Sequence, residues 1–200
     1  MTPPNVDDKA LLTTALAKLN ADVLQKLEGL DEYDLRRPLT PTGSNLLGIV
    51  KHLASVQGGY LGSVFGHHWD RELPWLDDPT AEINADMFAT AEQSSGWIVD
   101  LYRESWAHAS QTIANRALQD TGTVPWWPPE RRHPTLAEVL VHLTVETARH
   151  VGHLDLIREL IDGQAGRFAG DQSLPGDDEI DWRAYHQRVL DEAKRAAGGP

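Results

Sequence analysis

Glu146 and His150 stand four residues apart in the stretch TVETARHVGHLDLIRELIDG, and His52 lies far upstream in the stretch KHLASV. At 3.6 residues per turn the pair falls about 40° apart around a helix axis and one turn apart along it. A carboxylate and an imidazole so placed converge on one point about 2 Å from each, the distance at which both ligate a divalent ion. With His52 supplied by a neighbouring helix, two helices can hold one ion between them. Three protein ligands leave a zinc-like ion a position for an exchangeable ligand, which is the catalytic rather than the structural arrangement.

An isolated Glu and His at i, i+4 is more often a solvated ion pair on an exposed face. The surroundings here shift that reading. His142, Glu146, His150 and His153 fall at about 0°, 40°, 80° and 20° around a single axis, in an element whose other contact residues are leucine, isoleucine and valine. Burying ionisable groups without partners is costly, so a cation or a hydrogen-bonded network is expected along the stripe, and a cation is the economical choice. On spacing alone the ligand set stays open. His142, Glu146 and His150 can all reach inward, and His153 is either a ligand or a supporting residue. Asp155 points away from the stripe and reads as a surface ion pair. His67, His68, His108, His133 and His186 read as ordinary hydrogen-bonded imidazoles.

The elements that must position these residues are helical. Asp7 to Leu30 carries leucines and a valine at three- and four-residue spacing, with Gly29 near its end. A proline-marked loop over 36–43 precedes a second helix, capped by Ser44, that delivers His52 two turns in and runs to Gly66. Residues 67–87 keep no period and read as a long excursion covering one end of a bundle, with Trp75 as a pocket wall. Thr90 to Leu118 forms a third helix. Thr135 and Glu138 make a T-x-x-E capping box for a fourth, which holds Glu146 and His150 near its middle and stops at Gly163. Residues 181–197 read as a terminal helix. The expected fold is all-α, a four-helix bundle with long connections and a C-terminal extension; such bundles hold metals in their interiors. Residues 1–163 form the metal-binding bundle, and 164–200 an acidic, glycine-rich linker and terminal helix packed on the same domain.

Composition excludes several function classes. The formal net charge of −12 gives no basic face for a phosphate backbone, so no nucleic-acid partner is expected. No apolar run approaches the ~20 residues needed to span a bilayer, and the start MTPPNVDDKALL lacks the pattern of a leader, so the expected compartment is the cytoplasm. The chain has no cysteine. Any thiol chemistry must therefore use a thiol that comes with a substrate.

The stretches LTPTGSNLLGIVKHLASVQGGYLGSVFG and HPTLAEVLVHLTVETARHVGHLDLIRELIDG resemble the DinB-like four-helix bundle superfamily. The resemblance is to the branch related to mycothiol-dependent maleylpyruvate isomerase and the thiol S-transferases. It covers most of residues 8–163. It implies a metal triad of one histidine on the second helix and two ligands four apart on the last, which maps to His52, Glu146 and His150 and excludes His142. Glutamate at 146 is the mycothiol-branch pattern; many other members carry histidine there. His153 then becomes a supporting or pocket residue, and Gln57 stands where many relatives carry an acid. A homodimer is the state the resemblance suggests.

The implied activity is a metal-dependent thiol S-transferase or thiol-dependent isomerase. A low-molecular-weight thiol, mycothiol first, is activated as a metal-bound thiolate for attack on a small electrophile, and zinc is the expected ion. His153 and Arg149 are the candidate catalytic residues, Arg149 for a carboxylate of the thiol. Trp126 and Trp127 are the candidate walls of the thiol and electrophile pocket. The competing readings are a hydrolase using metal-bound water with His153 as base, and a non-catalytic bundle stabilised by its metal, which a fourth protein ligand such as His142 would favour.

Overall fold

The computed structural model describes residues 7–198 apart from 169, 172 and 177. The first six residues of the stretch read for a leader, and parts of the glycine-rich linker, lie outside them.

Among the described residues seven α-helices follow one another: α1 Asp8–Gln25, α2 Glu32–Arg36, α3 Leu46–Tyr60, α4 Pro74–Asp77, α5 Ser95–Asn115, α6 Leu136–Asp162 and α7 Trp182–Ala196. The long ones start where a side-chain oxygen can accept from a free first-turn N–H. Asp7 caps α1, Ser94 caps α5 and Asp181 caps α7. The Thr135–Glu138 capping box on α6 forms as expected, and the helix stops at Gly163, whose φ of 79° suits a residue without a Cβ. Helix α3 starts one residue later than the Ser44 cap predicts, because Asn45 accepts from the Gly48 N–H at 2.7 Å. The short α2 falls between the first helix, expected to end at Leu30, and the loop expected from residue 36, in a stretch for which no element was expected. Among the described residues there are no strands, only an isolated bridge between Thr121 and Thr135.

Two clusters of buried side chains give the helix directions. One gathers Val23 of α1, Leu47 and Leu53 of α3, Ile98 and Leu101 of α5, and Leu154 and Ile157 of α6. The other gathers Leu16 of α1, Tyr60 of α3, Ala109 and Ile113 of α5, and Leu140 and Leu143 of α6. From the second cluster to the first the numbers rise along α1 and α6 and fall along α3 and α5. Helices α1 and α6 therefore run parallel, and α3 and α5 run parallel to each other and opposite to them. Helix α3 packs chiefly on α5, and α1 on α6. The architecture is an all-α bundle, as expected.

A parallel neighbouring pair cannot be joined by a tight turn. After leaving the far end of α3, residues 61–94 must come back along the ~22 Å that its fifteen residues span before α5 can start. The excursion seen in the sequence is this crossover. Trp75 within it is a core residue, 9% exposed, with its indole N–H on Ser55 Oγ at 2.8 Å, and does not wall a pocket. Helix α7 is exposed along its whole length, including Trp182, Tyr185, Val189 and Leu190.

Candidate metal centre

His52 on α3 and Glu146 and His150 on α6 meet across the α3–α6 contact. One ligand atom from each lies within 4.8 Å of the other two. His52 Nε2 is 3.5 Å and His150 Nε2 3.1 Å from the same Glu146 Oε1. Ligands about 2 Å from a tetrahedral zinc stand roughly 3.3 Å apart. The spacings here bracket that value, so the donor set fits a divalent ion. His52 and His150 also face each other with ring centroids 5.0 Å apart. Their side chains are 20% and 12% exposed and that of Glu146 is 30%, so the three sit at the floor of an opening rather than in sealed core.

A fourth side chain, Asp86, joins the site without any signal in the sequence. The crossover brings its carboxylate to His52, with Oδ2 accepting from Nδ1 at 2.6 Å. No spacing rule points to this residue, because it belongs to no helix and reaches His52 from 34 positions away. A cleft of about 560 Å³ opens beside this contact, bounded by Ser44, His52, Ile83, Asp86 and Phe88.

The other candidates separate. His142 lies a turn before Glu146 and outside the cluster of ligand atoms, packed against Tyr60 at 4.8 Å and Trp127 at 5.2 Å between ring centroids. Trp126 and Trp127 both donate their indole N–H to Tyr60 Oη, at 3.0 and 2.8 Å, which pins an otherwise exposed Trp126 in place. They form an aromatic wall one helical turn along α6 from Glu146. His153 is exposed, its ring edge-on to His150 at 5.3 Å. Arg149 is exposed and makes no ion pair or side-chain hydrogen bond among the described residues. Gln57 is buried toward Tyr102, away from the triad. Asp155 is no surface ion pair: its partner, at 2.6 Å, is the ammonium of Lys26, whose side chain is wholly buried. His67 stacks on His108 at 3.9 Å and bonds Thr112.

Electrostatics sort the two histidines. Burial pulls His52 down, but the hydrogen bond and charge of Asp86, followed by those of Glu146, outweigh it and raise its pKa above 6.5. Burial and the charge of His52 lower that of His150, against the pull of Glu146. Burial raises Glu146, yet the two imidazoles outweigh it and hold the carboxyl below its ordinary range. Of the two imidazoles, His52 is therefore the one on which its surroundings favour a proton before a cation binds. A cation needs the same nitrogen unprotonated, so proton and metal exclude each other. The signs then oppose. His52 stabilises the metal-free fold fully below its unfolded pKa near 6.5, and that contribution is lost as pH rises through the raised folded value. Over the same window, metal affinity is expected to rise about tenfold per pH unit. The gap between thermal midpoints with and without Zn2+ is expected to widen as pH climbs from 6.5; a gap indifferent to pH there would remove His52 from the ligand set.

Among the described residues no helix is long and apolar enough to cross a membrane. No curated protein matches the chain. A crystal structure of a conserved protein from Enterococcus faecalis superposes with a TM-score of 0.60 at 16% identity, over 78% of this chain and 97% of that one. At that identity the likeness speaks for the fold alone. The sequence model that matches is that of the mycothiol S-transferases, over residues 11–163, a span holding most of α1, the other three bundle helices, the crossover and all three convergent side chains. The chain belongs to the mycothiol S-transferase family.

Proposed function

We propose that this protein is a divalent-metal-dependent thiol S-transferase that uses mycothiol, with zinc as the ion. The observation that carries the reading is the convergence of His52 Nε2, Glu146 Oε1 and His150 Nε2 in a chain of this family. His52, Glu146 and His150 would hold a divalent ion, which would supply the charge that lowers the pKa of a substrate thiol and makes it a thiolate nucleophile at neutral pH.

The chain's own residues do the rest. Two neutral imidazoles and one carboxylate would offset one of the two charges of a divalent ion and leave one for an anionic thiolate to balance. A third histidine in place of Glu146 would leave that charge unbalanced in a half-buried site. With no cysteine of its own, the chain offers no thiol to compete with the substrate. His153, at the rim beside His150, accepts the proton that the thiol gives up, and Arg149 is the cation offered to a carboxylate of the thiol. Trp126 and Trp127, pinned by Tyr60, wall the space next to the centre and keep an apolar electrophile out of water. The sulfur lone pair forms the new S–C bond, and the leaving group departs with the electrons of the bond it loses. The exclusion of His142 from the ligand cluster keeps a position open, which supports catalysis over a purely structural metal.

The test is metal content, followed by titration of the Co2+-substituted protein with mycothiol. One equivalent of metal and a new sulfur-to-cobalt charge-transfer band are the expected results. Metal without a thiol response would favour hydrolysis by metal-bound water, and a protein that takes up no metal would end the proposal.

A further inference from the structure

We infer that Asp86 is a positioning residue of the metal centre, acting through His52, and that Gly48 and Lys51 serve to hold it there. The inference rests on the reading of His52, Glu146 and His150 as metal ligands.

An imidazole on a helix has two nitrogens and a ring that turns about its bond to Cβ, so α3 alone does not decide which nitrogen faces α6. Asp86 decides it. By accepting from Nδ1 at 2.6 Å its carboxylate fixes the ring plane and leaves the lone pair on Nε2, the atom that faces Glu146. The negative charge behind the ring also makes Nε2 a stronger donor. His150 has no such support: its Nδ1 is buried with no partner among the described residues. His52 is the oriented histidine of the pair.

A carboxylate on a loose crossover would have to be ordered at each encounter, at an entropic cost for every residue fixed. Here the backbone around Asp86 is fastened to α3 beforehand. Lys51, the residue before His52, is 2% exposed, and among the described residues its ammonium makes no salt bridge. It donates to the carbonyls of Ala85 at 2.6 Å and Phe88 at 2.9 Å and to Gln93 Oε1 at 3.2 Å, and lies 4.1 Å above the Trp75 ring. A buried ammonium is thus spent on the backbone on either side of Asp86. Asn45 adds a bond from Nδ2 to the Met87 carbonyl at 3.2 Å. Asn84 takes a left-handed φ of 64°, which asparagine tolerates better than most residues, and its carbonyl accepts from the Met87 N–H at 2.8 Å to close the turn. Gly48, one turn before His52, lets this turn lie directly on the helix. A Cβ there would meet the Met87 carbonyl oxygen at 1.8 Å and its carbon at 2.5 Å, and both are backbone atoms that cannot swing aside. Adding one methyl group at position 48 therefore pushes residues 85–88 off α3 and carries Asp86 away from His52, although Gly48 touches none of the three ligands.

The experiment measures Zn2+ dissociation constants by competition with a chromophoric chelator, with the Co2+ absorption spectrum of each variant as a second readout of ligand geometry. Asp86→Ala is expected to bind Zn2+ about 10- to 100-fold more weakly and to alter the Co2+ spectrum. Asp86→Asn, whose amide oxygen still accepts from Nδ1 without the charge, is expected to lose less. Gly48→Ala is expected to weaken binding by about tenfold in the natural background and hardly at all in the Asp86→Ala background, since both changes break the same contact. Asp70→Asn, which removes one charge elsewhere on the crossover, is expected to leave the constant unchanged. The inference falls if Asp86→Ala stays within about twofold of the natural protein, if Asp70→Asn weakens binding as much as Asp86→Asn, or if Gly48→Ala costs the same in both backgrounds. Should Gly48→Ala fail to fold, the two Asp86 variants decide alone. A natural protein that binds no Zn2+ overturns the metal-centre reading itself and the inference with it, a result distinct from tight binding that ignores position 86.

Discussion

Glu146→Ala, His52→Ala and His150→Ala proteins are expected to lose the metal on purification and with it S-transferase activity, while keeping the fold. Structural zinc sites with four ligands bind with about 10–16 kcal/mol, or roughly 2.5–4 kcal/mol per ligand, so deleting one costs about a hundred- to a thousandfold in affinity. Glu146 is expected to be the most sensitive of the three, because both imidazoles point at its Oε1. It is also the anionic member of the set. Glu146→Gln separates these roles by keeping an oxygen in place without the charge, and is expected to fall between the natural protein and Glu146→Ala. The three side chains sit at the edge of the core rather than filling it, so the metal-free variants should melt within a few degrees of the metal-free natural protein. Metal analysis, activity and a thermal melt on the same preparations check this. Variants that unfold outright would point to a metal that holds the bundle together rather than one that serves a reaction.

Asp155→Ala is expected to be the most destabilising change away from the site, at about 3 kcal/mol. The side chain of Lys26 is completely buried, and among the described residues its ammonium has two acceptors: Asp155 at 2.6 Å and the carbonyl of Gly166. Removing the carboxylate leaves a cation in low dielectric with one neutral partner. Asp155 itself is one-third exposed, so water compensates in part and the cost stays below that of a fully buried pair. In a domain of this size, 3 kcal/mol lowers the thermal midpoint by about 6–12 °C. The pair belongs to a wider fastening: Arg158 donates from Nη1 to the carbonyls of Lys26 at 3.0 Å and Glu28 at 2.8 Å, and its Nη2 meets Asp162 at 2.7 Å. Together these bonds tie the end of α1 to the end of α6 and to the linker beyond Gly163. The double variant Lys26→Met, Asp155→Leu removes both charges and is expected to recover most of the loss. A midpoint that moves by less than about 1 °C in Asp155→Ala would show the pair to be energetically idle.

Features that depend on neighbours in sequence were the legible ones. The capping box at Thr135 and Glu138, the stop at Gly163 and the shared face of Glu146 and His150 all follow from 3.6 residues per turn and from free N–H groups at a helix start. Boundaries set by competition among local partners were less legible. Ser44 and Asn45 are both good caps, and Asn45 wins because the same side chain also reaches the Met87 carbonyl from the crossover. Trp75 looked like a pocket wall because its stretch has no period. It is core because Ser55 and Lys51 on α3 supply a hydrogen bond and a cation over its ring.

What the sequence by itself determined is the helical class, the shared face of Glu146 and His150 on α6, and, through resemblance, their grouping with His52, which the structure brings together. All of these are properties of one helix or of a recognisable pattern. Tertiary structure alone decided that α3 and α5 run parallel, which obliges residues 61–94 to return along α3 and so carries Asp86 to the back of His52. It also decided that Lys26 lies beneath Asp155, turning an acid that looked superficial into the partner of a buried charge. In both cases the deciding contact joins residues far apart in the chain, 34 positions in the first and well over a hundred in the second. Helical periodicity and capping act within a few residues, and nothing in them encodes which distant side chain the packing of parallel and antiparallel helices will bring alongside.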